Sequence, residues 1–331
     1  MAWRIRILLP ALVFALLGGI ACRTSSDDRG GSRGPLTIAV IPMGTTHEFW
    51  KSVHAGALTA ARELGVEIIW KGPLKEDDRN EQVQVVETLS GAGVDALVLS
   101  PLDDRALLRP VADARRAGIP TVIFNSALQG EEHVAFISTD NYQGGVMAAR
   151  AMGRLTGGRG RLILIRLKVG VEGTTKREEG FLATLRAEFP EITVLSDNQY
   201  AGTSTEMAYQ TMENLLSRFA DVEAVFTPNE STTFGALRAL QDHGLAGKVI
   251  HVGFDASAKL IEALEKGELR GLVLQEPFAM GYLSLKTAVA HLRGEPYEKA
   301  VATALVLATP DNMHEPSIER LLRPDLSILR D

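Results

Sequence analysis

The chain has 331 residues, 45% of them hydrophobic and 23% charged, with a net charge of −6. That length exceeds one compact core and suits two domains, and an acidic balance with a pI near 5.7 excludes nucleic acid as the main partner, because phosphate binding needs a basic face. A single cysteine excludes a disulfide framework and a multi-thiolate zinc centre, and no metal site is expected.

Residues 1–21 read as a signal peptide. Arg4 and Arg6 form a basic start, Ile7 to Leu17 is apolar but for Pro10, and Gly18, Gly19, Ile20 and Ala21 lead to Cys22. The run is shorter than the roughly 20 residues a membrane-spanning helix needs. Gly-Ile-Ala-Cys resembles a lipobox, with Gly19 where Leu is usual, so Cys22 is expected to carry lipid; the competing reading is an ordinary leader with an incidental cysteine. Residues 22–35 are rich in Ser, Gly, Arg and Asp and read as a flexible tether. Loss of Arg4 and Arg6 with the leader takes the net charge from −6 to −8.

Beyond the tether, strands and helices alternate. Leu36 to Pro42 is a buried-strand run, and His47 to Leu64 a helix with Phe49, Val53, Ala57, Ala60 and Ala61 at helical spacing. Strands are expected at Val66–Trp70, Ala96–Leu99, Thr121–Phe124 and Val134–Ile137, separated by helices at Asn80–Ala92 and Arg105–Arg116. The cycle restarts with helix Asn141–Leu155 and strand Arg161–Ile165. Then come helix Thr174–Glu188, strand Ile192–Leu195, helix Ser204–Phe219, strand Ala224–Phe226 and helix Glu230–His243. Strand Val249–Val252, helix Ala258–Lys266, strand Gly271–Leu274 and helix Pro277–Leu292 complete the series. Strands this apolar are covered on both faces, which predicts an α/β fold with mostly parallel sheets and outer helices. There are too many strands for one sheet, so two doubly wound lobes are expected, with a break near Ser138 to Asn141.

Ligands of open parallel sheets bind beyond the C-terminal strand ends. Those ends carry Thr45, Thr46, His47, Phe49, Trp50, Asn125, Ser126, Arg177, Asn229, Glu230, Asp255 and Gln275. Together they read as a polar cleft lined from both lobes; singly, the Asn, Asp and Ser residues are equally suited to helix caps and turns. Catalytic motifs are missing. There is no Gly-x-Ser-x-Gly elbow, Gly173-Thr174-Thr175-Lys176 lacks P-loop spacing, and His47-Glu48 with His54 lacks zincin spacing. Glu76, Asp77, Asp78 and Arg79 read as a solvated charged loop. Nothing pairs a nucleophile with a base, so no enzymatic activity and no cofactor are expected.

Six segments occur in order: Phe49-Trp50, Arg177-x-x-Gly180-Phe181, Ala224-Val225-Phe226-x-x-Asn229-Glu230, Gly235 to Leu240, Val252-Gly253-Phe254-Asp255, and Gln275-x-Pro277-x-x-x-Gly281. Together they resemble the ribose/galactose-type periplasmic sugar-binding proteins of ABC transporters, over roughly Leu36 to Ala308. The same fold serves lactose-repressor-like effector domains, which begin with a helix-turn-helix where this chain has its leader.

The resemblance implies a type I periplasmic-binding-protein fold with three crossovers, near Thr139, Glu276 and Ala304. Lobe 1 would be 36–139 plus 276–303, and lobe 2 140–275 plus 304–331. It also implies that Phe49 and Trp50 stack on a sugar ring, although core packing competes for Phe49. Arg177 would donate to neighbouring hydroxyls, and Asn229, Asp255 and Gln275 would bond others. His47 stands where the family often has Asn. Ribose binders carry Asp-Arg where this chain has Asn125-Ser126, which argues against ribose and leaves another polyhydroxylated ligand. The expectation is a monomeric, lipid-anchored lipoprotein of the periplasm or cell envelope. It captures a sugar or polyol by hinge closure and serves an ABC permease. The alternatives are a sensory binding protein that presents its liganded form to a receptor or kinase, and a binder of a non-sugar ligand such as autoinducer-2.

Overall fold

Two six-stranded sheets, each wound by helices, organise the chain. The computed structural model describes residues 34–330; the expected leader and Cys22 lie outside the described residues. The first sheet is laid down by β1 (Thr37–Ile41), α1 (Glu48–Leu64), β2 (Glu67–Trp70), α2 (Arg79–Gly91), β3 (Ala96–Leu99), α3 (Leu108–Arg116), β4 (Thr121–Phe124) and β5 (Ala135–Thr139). The second begins with α4 (Asn141–Leu155), β6 (Arg159–Arg166), α5 (Glu172–Glu188), β7 (Glu191–Tyr200) and α6 (Thr205–Arg218). It continues through β8 (Ala224–Phe226), α7 (Glu230–Asp242), β9 (Ile250–Phe254), α8 (Ala258–Glu265) and β10 (Gly271–Leu274). The chain then adds α9 (Pro277–Arg293), β11 (Ala300–Thr303), β12 (Val306–Ala308), α10 (Pro316–Leu322) and a 3-10 turn at Ser327–Arg330.

The sheet orders are β11-β5-β4-β3-β1-β2 and β12-β10-β9-β8-β6-β7. Every pairing is parallel except β10 with β12, and β11 pairs with β5 in parallel. The chain thus leaves the first sheet after Thr139, returns after Leu274 and passes to the second again after Thr303. Central strands such as β3, β4 and β10 are buried along their whole length, as sheets covered on both faces require.

Several element bounds differ from the sequence reading, each for a local reason. The third helix starts at Leu108, not Arg105, because Asp103 Oδ1 accepts the backbone N–H groups of Arg105 and Ala106 and holds a turn there. β7 runs on to Tyr200 past polar residues that carry no hydrophobic alternation, with register shifts along β6. β11 and β12 are short, partly exposed edge strands without the apolar run that marks a central strand.

The helix pair α4 and α5 sets the position of one wall of the site. A Cβ on Gly145 would lie 2.0 Å from the Arg177 carbonyl oxygen, and one on Gly180 would lie 2.2 Å from that of Tyr142. Glycine at both positions lets the two backbones touch, and this fixes the turn of α5 that carries Arg177. Beneath it, Phe181 stacks on Phe226 at 3.9 Å, and Phe226 meets Phe254 edge-on at 6.1 Å.

Candidate functional site

All nine side chains expected at the site line one cavity where the C-terminal ends of both sheets face each other. Its empty space is about 430 Å³, opening included. The first sheet supplies His47, Phe49 and Trp50 at the start of α1, and Asn125 and Ser126 after β4. The second supplies Arg177 on α5, Asn229 after β8, Asp255 after β9 and Gln275 after β10.

Strand ends deliver these groups, and turn geometry aims them. Asn125 and Asp255 are the two non-glycine residues with positive φ among the described residues, both at +64°. Asn229 caps α7: its Oδ1 accepts from Thr232 N at 3.2 Å, and the Thr232 hydroxyl completes a capping box. Asn229 is therefore both a cap and a cavity wall. Ser126 Oγ accepts from Gly173 N at 3.2 Å. With Ala127 N to Glu172 Oε2 at 3.3 Å and Asp104 N to the Gly170 carbonyl at 3.0 Å, this bond joins the two halves beside the cavity.

Trp50 is 2% exposed and belongs to the core of the first half. It meets Phe49 edge-on at 4.8 Å and Phe124 at 6.3 Å. Its Nε1 donates to Glu76 Oε1 at 2.7 Å, and His47 Nδ1 lies 3.1 Å from the same oxygen. This overturns the reading of Glu76 as solvated: it is 8% exposed and lines the cavity. The strand-end rule that found the other residues also covers the loop after β2, but the run of charge beside Glu76 masked it. Burial drives the His47 imidazole down, yet the carboxylates around it, Glu76 foremost with Glu230 and Asp255, together outweigh this and raise its pKa to about 9. Burial pushes Glu76 up, and the His47 charge with the His47 and Trp50 hydrogen bonds brings it below its ordinary value. At neutral pH the two form an ion pair.

Arg177 is 3% exposed. Its Nε donates to Asn141 Oδ1 at 2.8 Å and its Nη1 to the Pro228 carbonyl at 2.9 Å. Its guanidinium lies 4.5 Å over the Phe254 ring, with Nη1 4.0 Å from Asp255 Oδ2. Two of its five N–H donors thus serve protein acceptors. Asp255 accepts from Gln275 Nε2 at 2.6 Å and from Glu230 N at 3.2 Å. Burial raises its pKa despite the nearby Arg177 charge. Glu230, which the sequence placed in the strand-end cleft without an individual role, also lines the cavity, and burial lifts it to about 7. Met43, Leu167, Val171 and Thr174 complete the wall; nothing in their residue types marked them.

A wider groove runs outward between α1, α8 and the chain after α10. It shares Phe49, Asp255 and Gln275 with the cavity, and its wall mixes the apolar Ile261, Leu274, Pro277 and Leu322 with charged groups such as Glu48, Glu262 and Arg323. Among the described residues no group of three or more His, Cys, Asp or Glu could hold a metal ion, and no helix is long and apolar enough to cross a membrane.

Two wound sheets facing across a buried polar cavity define a solute-binding architecture, the type I periplasmic-binding-protein fold. The chain belongs to the periplasmic binding protein family, whose domain it matches over residues 38–296. It is 28% identical over 297 residues to the ribose import binding protein RbsB of Haemophilus influenzae, covering 90% of this chain and 97% of that one. A xylitol-binding protein of Mycolicibacterium smegmatis is 26% identical, covering 90% of this chain and 83% of its own. The crystal structure of a carbohydrate transporter solute-binding protein from Agrobacterium radiobacter in complex with D-arabinose superposes with a TM-score of 0.84 at 32% identity. That match covers 88% of this chain and 100% of the other.

Proposed function

We propose that the chain is an extracytoplasmic sugar- or polyol-binding protein that delivers its ligand to an ABC importer. The observation that carries the reading is the convergence of nine polar and aromatic side chains from both sheets on one cavity. The names of the relatives support the ligand class, since they bind or import ribose, xylitol and D-arabinose. The relatives are named as binding and import proteins, which supports binding over catalysis.

In this proposal the lobes are 36–139 plus 276–303 and 140–275 plus 304–331. A ligand that touches both lobes favours the closed arrangement, because half of its contacts exist only there. The closed form is what a permease would recognise, and the protein acts as a monomer. Cys22 becomes the lipidated N-terminus after removal of residues 1–21, and the tether 22–35 gives the lobes reach from the envelope membrane. Metabolic labelling with a fatty acid tests this: label should enter the wild-type chain and be absent from Cys22→Ser.

A thermal-shift screen against D-ribose, D-arabinose, D-fucose, D-tagatose, D-allose and xylitol tests the binding function. A ligand at 100 times its Kd adds about 2.7 kcal/mol of stability, so a true ligand raises Tm by several degrees. A flat response to neutral sugars and polyols as a class removes the proposal.

A further inference from the structure

Arg177 is held from behind by a side chain that stands outside the cavity wall. Asn141 opens α4, just past the crossover that follows Thr139, and is buried. It does not line the cavity. Its Oδ1 accepts from Arg177 Nε at 2.8 Å, and its Nδ2 donates to the Asn125 carbonyl at 3.3 Å and to Ser138 Oγ at 3.4 Å. Ser138 Oγ in turn donates to the same Asn125 carbonyl at 2.7 Å. The amide has one workable orientation, because a guanidinium N–H can only donate and a carbonyl can only accept. Gly173 leaves room for it: a Cβ there would lie 3.2 Å from Asn141 Nδ2.

The guanidinium is thus pinned at Nε by Asn141, at Nη1 by the Pro228 carbonyl and on one face by the Phe254 ring. Its planar fork is then aimed before a ligand arrives, and less freedom is lost on binding. Without Asn141 the fork can turn about its bond to Pro228, and a buried N–H is left to seek another acceptor. The hold also spans both sheets. Asn125 follows β4 of the first and Arg177 sits on α5 beside the second, so the first-sheet turn orients the amide that orients Arg177. We infer that Asn141 is a positioning residue for the ligand, acting through Arg177 and taking its own orientation from the turn at Asn125. Affinity therefore depends on a side chain that lies outside the cavity wall. The inference rests on the reading of the cavity as a sugar or polyol site.

The test is a double-mutant cycle read by calorimetric titration with D-ribose, D-arabinose, D-allose and xylitol. It compares wild type, Asn141→Ala, Arg177→Lys and the double variant, each checked for folding by circular dichroism. Asn141→Ala should weaken the best binder about tenfold to a hundredfold, the worth of a hydrogen bond to a charged group. In the Arg177→Lys background the same substitution should change affinity less than about threefold, because the group it acts through is gone. The Arg177 Nε–H resonance of the free protein, assigned by its loss in Arg177→Lys, should shift and exchange faster with water in Asn141→Ala. Asn141→Asp keeps the acceptor and suits the first turn of a helix; it should retain that resonance and bind more tightly than Asn141→Ala. If the alanine variant fails to fold, Asn141→Ser, which also withdraws the acceptor from Nε, takes its place in the cycle. Equal losses in the two backgrounds, or wild-type affinity in folded Asn141→Ala, overturn the inference and leave the sugar reading standing. If no neutral sugar or polyol binds, that reading falls and the inference falls with it.

Discussion

Asn125 and Asp255 occupy the same place in the two halves. Each follows a fully buried phenylalanine, Phe124 or Phe254, at the end of its strand. Each has φ of +64°, and each donates its backbone N–H at 2.9 Å to the next strand of its sheet, to Ile137 in one case and Val273 in the other. β4 and β9 hold matching positions in the two sheet orders. The left-handed turn lifts the chain off the sheet so that both side chains border the cavity. It costs an ordinary L-residue roughly 1–2 kcal/mol, which Asn and Asp evade best after glycine.

That geometry separates folding from binding at Asn125. Asn125→Gly should keep stability within about 1 kcal/mol, since glycine adopts the turn freely, while losing the cavity contact. Asn125→Val should lose about 2 kcal/mol, because a β-branched residue is strained at positive φ. Denaturant unfolding ranks the stabilities, and ligand titration should show both variants weakened. A valine variant as stable as wild type contradicts the strain argument.

The His47–Glu76 pair gives the protein a pH signature. The folded pKa of His47, about 9, lies above its ordinary 6.5. Its contribution is therefore complete below 6.5 and is lost as pH rises through 9. Glu76 is held below its ordinary 4.5, so its contribution is present above 4.5 and is lost as pH falls through the depressed value. Glu230 and Asp255 also face His47, and Lys168 faces Glu76, so the difference between wild type and Glu76→Gln isolates the pair. That difference should be greatest between about pH 4.5 and 6.5 and shrink toward pH 9. NMR titration of His47 should show its pKa fall in Glu76→Gln. An unchanged His47 pKa refutes the pairing.

Arg177 and Asp255 should couple. Arg177→Ala leaves the buried Asp255 carboxylate without its nearest cation, and breaking a buried pair from one side costs about 3–5 kcal/mol. This variant should lose stability as well as affinity. Adding Asp255→Asn removes the stranded charge, so the double variant should recover part of that stability but none of the binding. Additive losses across the cycle would mean that the 4.0 Å separation carries no interaction.

Much of this arrangement can be read from the chain because parallel sheets obey a positional rule. Short apolar runs named the central strands, and the residues just after them named much of the cavity wall, including Asn125, Asp255 and Gln275; Arg177 sits inside α5, well past the end of β6, and was marked by its place in the Arg177-x-x-Gly180-Phe181 segment. What escaped depended on the surroundings. Glu76 looks like its charged neighbours until Trp50 and His47 close over it. β11 and β12 have no core-facing run, because edge strands bury little. The dual role of Asn229 was visible only as two competing readings, since a cap and a cavity wall call for the same side chain.

Helix contact should transmit damage to the site. In Gly145→Ala the new methyl meets the Arg177 carbonyl at 2.0 Å, a clash with backbone that no rotamer relieves. α4 and α5 must separate, at a cost of about 1–3 kcal/mol, and Arg177 moves with its helix. Affinity should fall although no cavity side chain has changed. Wild-type affinity in a folded Gly145→Ala protein would show that the turn of α5 does not set the position of Arg177.

Trp50 should report the ligand, and the reason is its hydrogen bond rather than simple burial. Its indole N–H is fixed on Glu76, beside the His47 charge and next to Phe49 on the cavity wall. A ligand that reorders Glu76 or His47 changes the field on the indole directly. Trp70 is differently placed: it stacks on His54 at 4.3 Å, away from the cavity lining. Trp3 lies in the expected leader, so a Trp3→Phe background leaves these two indoles alone. In that background ligand should shift the emission, Trp50→Phe should abolish the shift, and Trp70→Phe should preserve it. Trp50→Phe should also weaken binding, because phenylalanine fills most of the space but leaves Glu76 Oε1 with His47 as its remaining partner, a loss of about 1.5–3 kcal/mol for a hydrogen bond to a charged group. A shift that survives in Trp50→Phe and vanishes in Trp70→Phe would place the responsive surface at α1 and β2, outside the cavity.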